Sequence, residues 1–210
     1  MTPATSELSI EDFESYSVGA LSGQGDWGGG NPSDQIAIDS FAHDGVNSVK
    51  LSGGNGAYTY RTLTQPIAEN GTLSFWIYYN SLGNQGVSIT DNPNDRAVAN
   101  IYYDTNKNCS TNDGNCFTLG NMRTTIQTTT DIWHYIEIEN DFSNHQVKMR
   151  QDGGTWSDWM NAGGVNIGRI RFDRGNGDVF YDSFVYSKPA SNVPINPALS
   201  IDAGALVVVQ

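Results

Sequence analysis

Glu137, Glu139 and Asp141 alternate along Trp133-His134-Tyr135-Ile136-Glu137-Ile138-Glu139-Asn140-Asp141. In a β-strand all three would project from one face, with neighbours about 7 Å apart. That separation is within the range of about 5–9.5 Å over which carboxylate pairs hydrolyse glycosidic bonds. The residues that follow argue against such a use. A turn at Ser143-Asn144 folds Gln146-Val147-Lys148-Met149-Arg150 back as a partner strand. Its register sets Glu137 opposite Arg150, Glu139 opposite Lys148 and Asp141 opposite Gln146. Ile138 and Met149, with Asn140 and Val147, then share the other face, so the apolar side stays consistent. A general acid needs a raised pKa, and a facing cation acts in the opposite sense. Cross-strand ion pairing is therefore the expected role, at roughly 0.2–1 kcal/mol per pair.

A second chemistry is sugar stacking, for which Trp and Tyr combine a flat apolar surface with a polar handle. Trp76 and Tyr78 share one face of 72–79, and Leu73, Phe75, Ile77 and Tyr79 share the other. Parity leaves open which face is buried. Tyr102 would line a strand face with Asn100 and Asp104, and Tyr58 and Tyr60 another; Arg171 supplies hydrogen bonds to hydroxyls. Trp156 and Trp159 fall in the loop Gly154-Thr155-Trp156-Ser157-Asp158-Trp159 and are the expected exposed platform. Arg61, Arg123, Arg169, His134 and Tyr135 are residue types that a polysaccharide lyase employs, with no Gln-x-His or Tyr-x-Lys-x-Gly-x-Tyr strand beside them. Hard cations take carboxylate and carbonyl oxygens. Asp104-Thr105-Asn106-Lys107-Asn108 has the spacing of a calcium loop but meets Cys109 and Asn115 where that loop needs Gly and Glu.

The elements that must position these groups are strands. The 210 residues include 23 glycines and 10 tyrosines, only 16% are charged, and no long stretch shows a helical period. Short apolar-polar runs recur at 9–14, 16–21, 35–38, 48–51, 57–63, 72–79, 86–90, 97–103, 117–119, 123–128, 165–172 and 179–186, besides the hairpin. Gly, Asn and Asp turns separate them, which predicts an all-β fold, a two-sheet antiparallel β-sandwich or jelly roll. It would occupy residues 1–187, and 188–210 would be a Pro-rich linker and C-terminal extension.

A net charge of −12 argues against nucleic acid, which needs clustered cations, and suits a secreted protein. No apolar run approaches the ~18 residues of a membrane span. The polar start Met1-Thr2-Pro3-Ala4-Thr5-Ser6 has no signal-peptide pattern and reads as a processing boundary. Cys109 and Cys116 flank a short polar loop that a disulfide would close in an oxidising compartment. The oligomeric state is left open.

Several of these segments resemble the concanavalin A-like lectin/glucanase superfamily in its laminin G-like branch. The segments are Trp133-His134-Tyr135-Ile136-Glu137-Ile138, Val147-Lys148-Met149-Arg150-Gln151-Asp152-Gly153 and Thr72-Leu73-Ser74-Phe75-Trp76-Ile77-Tyr78. Asp12-Phe13-Glu14 and Phe180-Tyr181-Asp182-Ser183-Phe184 resemble the ends of bacterial secreted carbohydrate-binding jelly rolls. The resemblance implies two antiparallel sheets, glycan binding and a structural calcium ion, with Asp12 or Glu14 and Asp182 converging where first and last strands pair. It implies a non-catalytic module for a polysaccharide or glycoconjugate. A polysaccharide-degrading enzyme and a surface adhesion domain are the alternatives on the same scaffold.

Overall fold

The computed structural model describes residues 6–29, 35–52, 57–81, 86–104, 116–119, 122–174 and 177–189, which hold sixteen strands, numbered β1 to β16 in chain order, and no helix. All strand pairings are antiparallel, and they build two sheets. The nine-stranded sheet runs β14 (Met160–Asn161), β13 (Gln146–Gln151), β12 (Trp133–Asp141), β7 (Gly71–Tyr79) and β16 (Val179–Lys188). It continues through β5 (Ser48–Ser52), β4 (Gln35–Asp39) and β2 (Gly19–Ala20), and β1 (Ser6–Glu11) also pairs with β16. The seven-stranded sheet runs β11 (Met122–Gln127), β10 (Cys116–Leu119), β9 (Ala97–Asp104), β8 (Gly86–Thr90), β15 (Ile167–Asp173), β6 (Tyr58–Ile67) and β3 (Trp27–Gly28).

Alternation explains why these sheets face each other. Leu73, Phe75, Ile77 and Tyr79 of β7, Ile136 and Ile138 of β12, and Val147 and Met149 of β13 are buried. They meet Val87, Ile89, Ile101, Ile170 and Phe172 of the opposite sheet in one core. Rings cross the seam: Phe172 stacks on Tyr181 at 4.5 Å between centroids, and Phe75 on Phe184 at 4.6 Å lies alongside. A polar tie reinforces the edge. The buried Glu11 carboxylate accepts from Arg61 Nη1 (2.6 Å), Tyr16 Oη (2.8 Å), Trp27 Nε1 (3.3 Å) and the Phe13 amide (2.9 Å), joining β1 to β6. A buried carboxylate is tolerated only with partners of this kind.

β16 holds two neighbours on one edge, pairing with β5 through Val179–Tyr181 and with β1 from Phe184 onward. The changeover is a bulge between Asp182 and Val185, with Ser183 at φ 51°. A bulge adds a residue to one strand and re-aims its side chains. Here Tyr181 and Phe184, three residues apart, both face the core, which strict alternation does not allow.

Some expected boundaries move. The first strand, read as 9–14, is Ser6–Glu11, because Phe13 takes φ 61° and turns the chain away. The run 16–21 is mostly irregular, and only Gly19–Ala20 pairs, with β4. β2, β3 and β14 are two residues each, too short for alternation to mark. The last strand extends to Lys188; the rest of the expected linker and extension lies outside the described residues from 190 on.

Candidate functional site

The β12–β13 hairpin has the register that its sequence implies: Glu137 faces Arg150, Glu139 faces Lys148 and Asp141 faces Gln146. Arg150 grips Glu137 with two N–H groups, Nε to Oε2 at 2.5 Å and Nη2 to Oε1 at 2.7 Å. Lys148 Nζ lies 2.9 Å from Glu139. Asp141 accepts from Asn144 Nδ2 at 2.7 Å and Asn70 Nδ2 at 3.0 Å, and the Asn144 hydrogen bond leads those that hold its carboxyl below the ordinary range. All three carboxylates are thus engaged as structural partners. We expect the double variant Glu137→Gln, Glu139→Gln to keep its fold and to lose no more than about 2 kcal/mol in urea unfolding, as cross-strand pairs give about 1 kcal/mol or less each.

The same cations also hold the loop tryptophans. Lys148 Nζ lies 4.9 Å from the Trp156 ring and 4.4 Å from the Trp159 ring, and the Arg150 guanidinium lies 4.5 Å from Trp156. Each ring therefore packs back on the hairpin through a cation–π contact. Trp159 remains 39% exposed.

Trp76 and Tyr78 project from the outer face of the nine-stranded sheet, where residues 41–47 lie against them. The His43 ring stacks on Trp76 at 3.4 Å with 11° between planes. Phe41 stacks on Trp133 at 5.6 Å and meets Tyr78 and Phe180 edge-on at 4.8 and 5.0 Å. These aromatics form a cluster in which Phe180 is buried, Trp76, Tyr78 and Trp133 are half-buried, and Phe41 is exposed.

Two carboxylates fasten that loop. Asp182, fully buried, accepts the His43 amide at 2.8 Å and the Asp44 amide at 3.0 Å. Burial pushes its carboxyl up, opposed by those hydrogen bonds. Glu14 Oε1 accepts the Val46 and Asn47 amides, each at 2.9 Å. Asp12 is exposed and accepts the Glu14 amide at 3.1 Å. First and last strands do pair, and Asp12, Glu14 and Asp182 each accept backbone N–H groups. Among the described residues no three His, Cys, Asp or Glu side chains gather as a metal cluster. Cys109 and its proposed disulfide to Cys116 lie outside the described residues.

His134 faces the core, 2% exposed, with Nδ1 2.8 Å from Asp152 and Nε2 2.8 Å from the Thr129 carbonyl. Burial raises the Asp152 carboxyl, and bonds from His134, the Tyr135 amide and Gln151 outweigh it, leaving it below the ordinary range. Both ring nitrogens are engaged inside the fold, so His134 pins the end of the hairpin. Arg61, bound to Glu11 and to the Ile10 carbonyl, is similarly committed.

The outer face of the seven-stranded sheet differs. Register places Tyr60, Arg171, Ser88 and Asn100 in one row across β6, β15, β8 and β9. Tyr58, Asp173, Gly86 and Tyr102 form the next row, and Thr62, Arg169 and Thr90 the row on the other side. The rows interlock diagonally. The Arg171 guanidinium lies 4.1 Å from the Tyr58 centroid, and Arg169 4.8 Å from Tyr60. Arg171 donates from Nε to Asp173 at 2.8 Å, and Arg169 from Nη1 to Asp95 at 2.9 Å. Ser88 Oγ bridges the Tyr102 hydroxyl (2.8 Å) and Asp173 Oδ2 (3.2 Å). Burial raises the Tyr102 pKa, with the Asp173 charge adding to it, so the phenol is protonated at neutral pH.

Gly29 closes one flank. At φ 79° it brings backbone so near that a Cβ would lie 2.6 Å from the Tyr60 ring and 2.9 Å from Tyr58. Only glycine accepts both the left-handed conformation and that approach. The result is a half-exposed surface of fixed planar donors, phenols and carboxylates.

The carbohydrate-binding residues expected from sequence are thus split. Tyr102 and Arg171 stand on the seven-stranded face; Trp76, Tyr78, Trp156 and Trp159 stand on the nine-stranded side. Ser88, Asp95 and Asp173 escaped the sequence reading. Only Asp173 had a signal, the period-two run Arg169-x-Arg171-x-Asp173 beside Tyr58-x-Tyr60-x-Thr62.

Two antiparallel sheets, with the last strand pairing with the first, make this an all-β sandwich. No family model matches the sequence, and no curated protein does. Among solved structures, part of a sialidase superposes on 88% of this chain with a TM-score of 0.62 and 13% identity. The match spans 18% of the sialidase chain. A Bacillus subtilis protein of unknown function with a galectin-like fold matches 77% of this chain and 88% of its own, with a TM-score of 0.51 and 13% identity. What is shared at such identity is the fold.

Proposed function

We propose that the chain is a non-catalytic carbohydrate-binding module that takes a polysaccharide or glycoconjugate on the outer face of its seven-stranded sheet. The observation that carries this reading is the interlocked layer of Arg169, Arg171, Tyr58, Tyr60, Tyr102, Ser88 and Asp173. Sugars offer many hydroxyls in fixed directions, and a site that holds rigid donors and acceptors beside phenol rings meets them without reorganising. On the opposite face His43 stacks on Trp76 and Phe41 on Trp133, so residues 41–47 occupy part of the aromatic surface there. The two-sheet fold itself, which recurs in part of a sialidase, is compatible with such a surface. Export belongs to this reading on composition, since the chain is acidic and low in charged residues.

Glycan-array screening followed by calorimetry on the hits tests it. Arg171→Ala should weaken binding about ten- to hundred-fold, because hydrogen bonds to a charged group contribute about 1.5–3 kcal/mol. The double variant Trp156→Ala, Trp159→Ala should bind as the parent does. The reverse pattern would move the site to the loop platform. Release of unsaturated or reducing ends from a bound polymer would make the protein an enzyme.

A further inference from the structure

We infer that the ligand of the Arg169–Arg171 face is an uncharged glycan, and not a uronic, sialylated or sulfated one; this rests on the reading that the face binds sugar. Each guanidinium arrives with its own carboxylate. Arg171 directs Nε (2.8 Å) and Nη2 (2.6 Å) to one Asp173 oxygen, and Asp173, only 14% exposed, is fixed further by the Ser88 hydroxyl. Arg169 gives Nη1 to Asp95 at 2.9 Å and Nε to the Thr62 hydroxyl at 3.3 Å. Two positive charges are therefore matched by two negative ones within hydrogen-bonding distance.

Charge balance leaves donors behind. A guanidinium carries five N–H groups, and each of these two uses two of them on the partners named. The remaining N–H groups are strong, planar donors whose charge is already compensated. Hydroxyl, ring and acetamido oxygens suit such donors. A carboxylate or sulfate would instead compete with Asp173 and Asp95 for the same cations and be brought close to both. It would do so on a protein of net charge −12, whose field opposes its approach. The Tyr102 phenol, protonated at neutral pH and tied to Ser88, adds a neutral group to the same surface.

The comparison uses the full chain in calorimetry at low and high salt. The neutral polymers are mixed-linkage β-glucan, xylan, galactan and galactomannan. Polygalacturonate, alginate and chondroitin sulfate represent the charged ones. The expected result is binding to at least one neutral polymer, with affinity that changes by less than about two-fold with salt, since screening has little to act on. Asp173→Asn keeps the shape and one acceptor but unbalances Arg171. It should weaken the neutral ligand several-fold and bring measurable polygalacturonate binding that high salt removes. Asp95→Asn makes the same change at Arg169 from a more exposed position and serves if the first variant is unstable. Wild-type binding to a polyanion with no neutral partner overturns the inference and leaves the binding module standing. Failure of both variants to gain polyanion affinity overturns the charge-balance argument. Absence of binding to any glycan overturns the module itself.

Discussion

Phe172→Ala should lower the unfolding free energy by about 3–5 kcal/mol, read as a shift of the urea midpoint, which is the range for deleting a buried aromatic ring. Phe172 is fully buried, and its neighbours come from both sheets. Tyr181 stacks on it at 4.5 Å and 12°, Phe184 and Trp27 lie at 5.0 Å, and Phe13 at 6.4 Å. These neighbours are rigid rings, several themselves held by hydrogen bonds, such as Tyr181 to the Gly86 carbonyl and Trp27 to Glu11. They cannot close over the space a removed ring leaves, so the cavity contribution stays close to its maximum. Phe172→Leu fills part of that space and should cost clearly less. A loss below about 1 kcal/mol for the alanine variant, where a ring deletion normally gives several times that, would mean the sheets are not joined through this ring. The residue also lies between Arg171 and Asp173 on β15, so the seam of the sandwich is the floor of the proposed sugar surface.

Asp182→Ala should destabilise by about 2–4 kcal/mol, because it strands the His43 and Asp44 amides beneath a loop at roughly 1–3 kcal/mol each. Asp182→Asn keeps an acceptor and should cost less. The two variants separate charge from hydrogen bonding when compared across pH. Burial raises the folded-state pKa of Asp182 above its unfolded value. Its contribution is then fullest below the unfolded value, about 3.9, and is lost as pH rises through the folded one. The advantage of wild type over Asp182→Asn should therefore grow as pH falls from neutral through that window. An advantage that shrinks instead would show that the amide hydrogen bonds outweigh burial. Loosening residues 41–47 also uncovers Trp76, so the alanine variant should shift tryptophan emission to longer wavelength below its unfolding transition.

The hairpin was legible to the residue because its alternation, charge complementarity and turn all specify one register. Glu137 with Arg150 and Glu139 with Lys148 follow from counting outward from Ser143-Asn144. The two-sheet class followed from the same alternation repeated along the chain. Other features had no such local signature. Nothing near Phe41 or His43 in sequence says that they will cover Trp76 and Tyr78, since the contact is made by loop closure through Asp182, 139 residues from His43. A buried carboxylate and a cation ligand have the same residue type, so sequence could not foresee that Asp182 accepts the His43 and Asp44 amides. Trp76 and Tyr78 do share one face of β7, opposite Leu73, Phe75, Ile77 and Tyr79, as their parity implied. Which sheet each strand joins depends on long-range pairing, so sequence merged two opposite surfaces into one list.

The pairing of β1 with β16 has a consequence for how this sandwich can be carried. Ser6 lies directly across from Lys188, so the strands that begin and end the described sandwich meet at one rung of one ladder. Neighbouring antiparallel strands are about 5 Å apart. Entry and exit that close let the whole sandwich be spliced into a surface loop of a host protein as a cassette, with little strain on the host. A short bridge between the two ends should likewise permit circular permutation, with new termini opened at the Ser143-Asn144 turn. Both operations leave the strands of the seven-stranded face uncut.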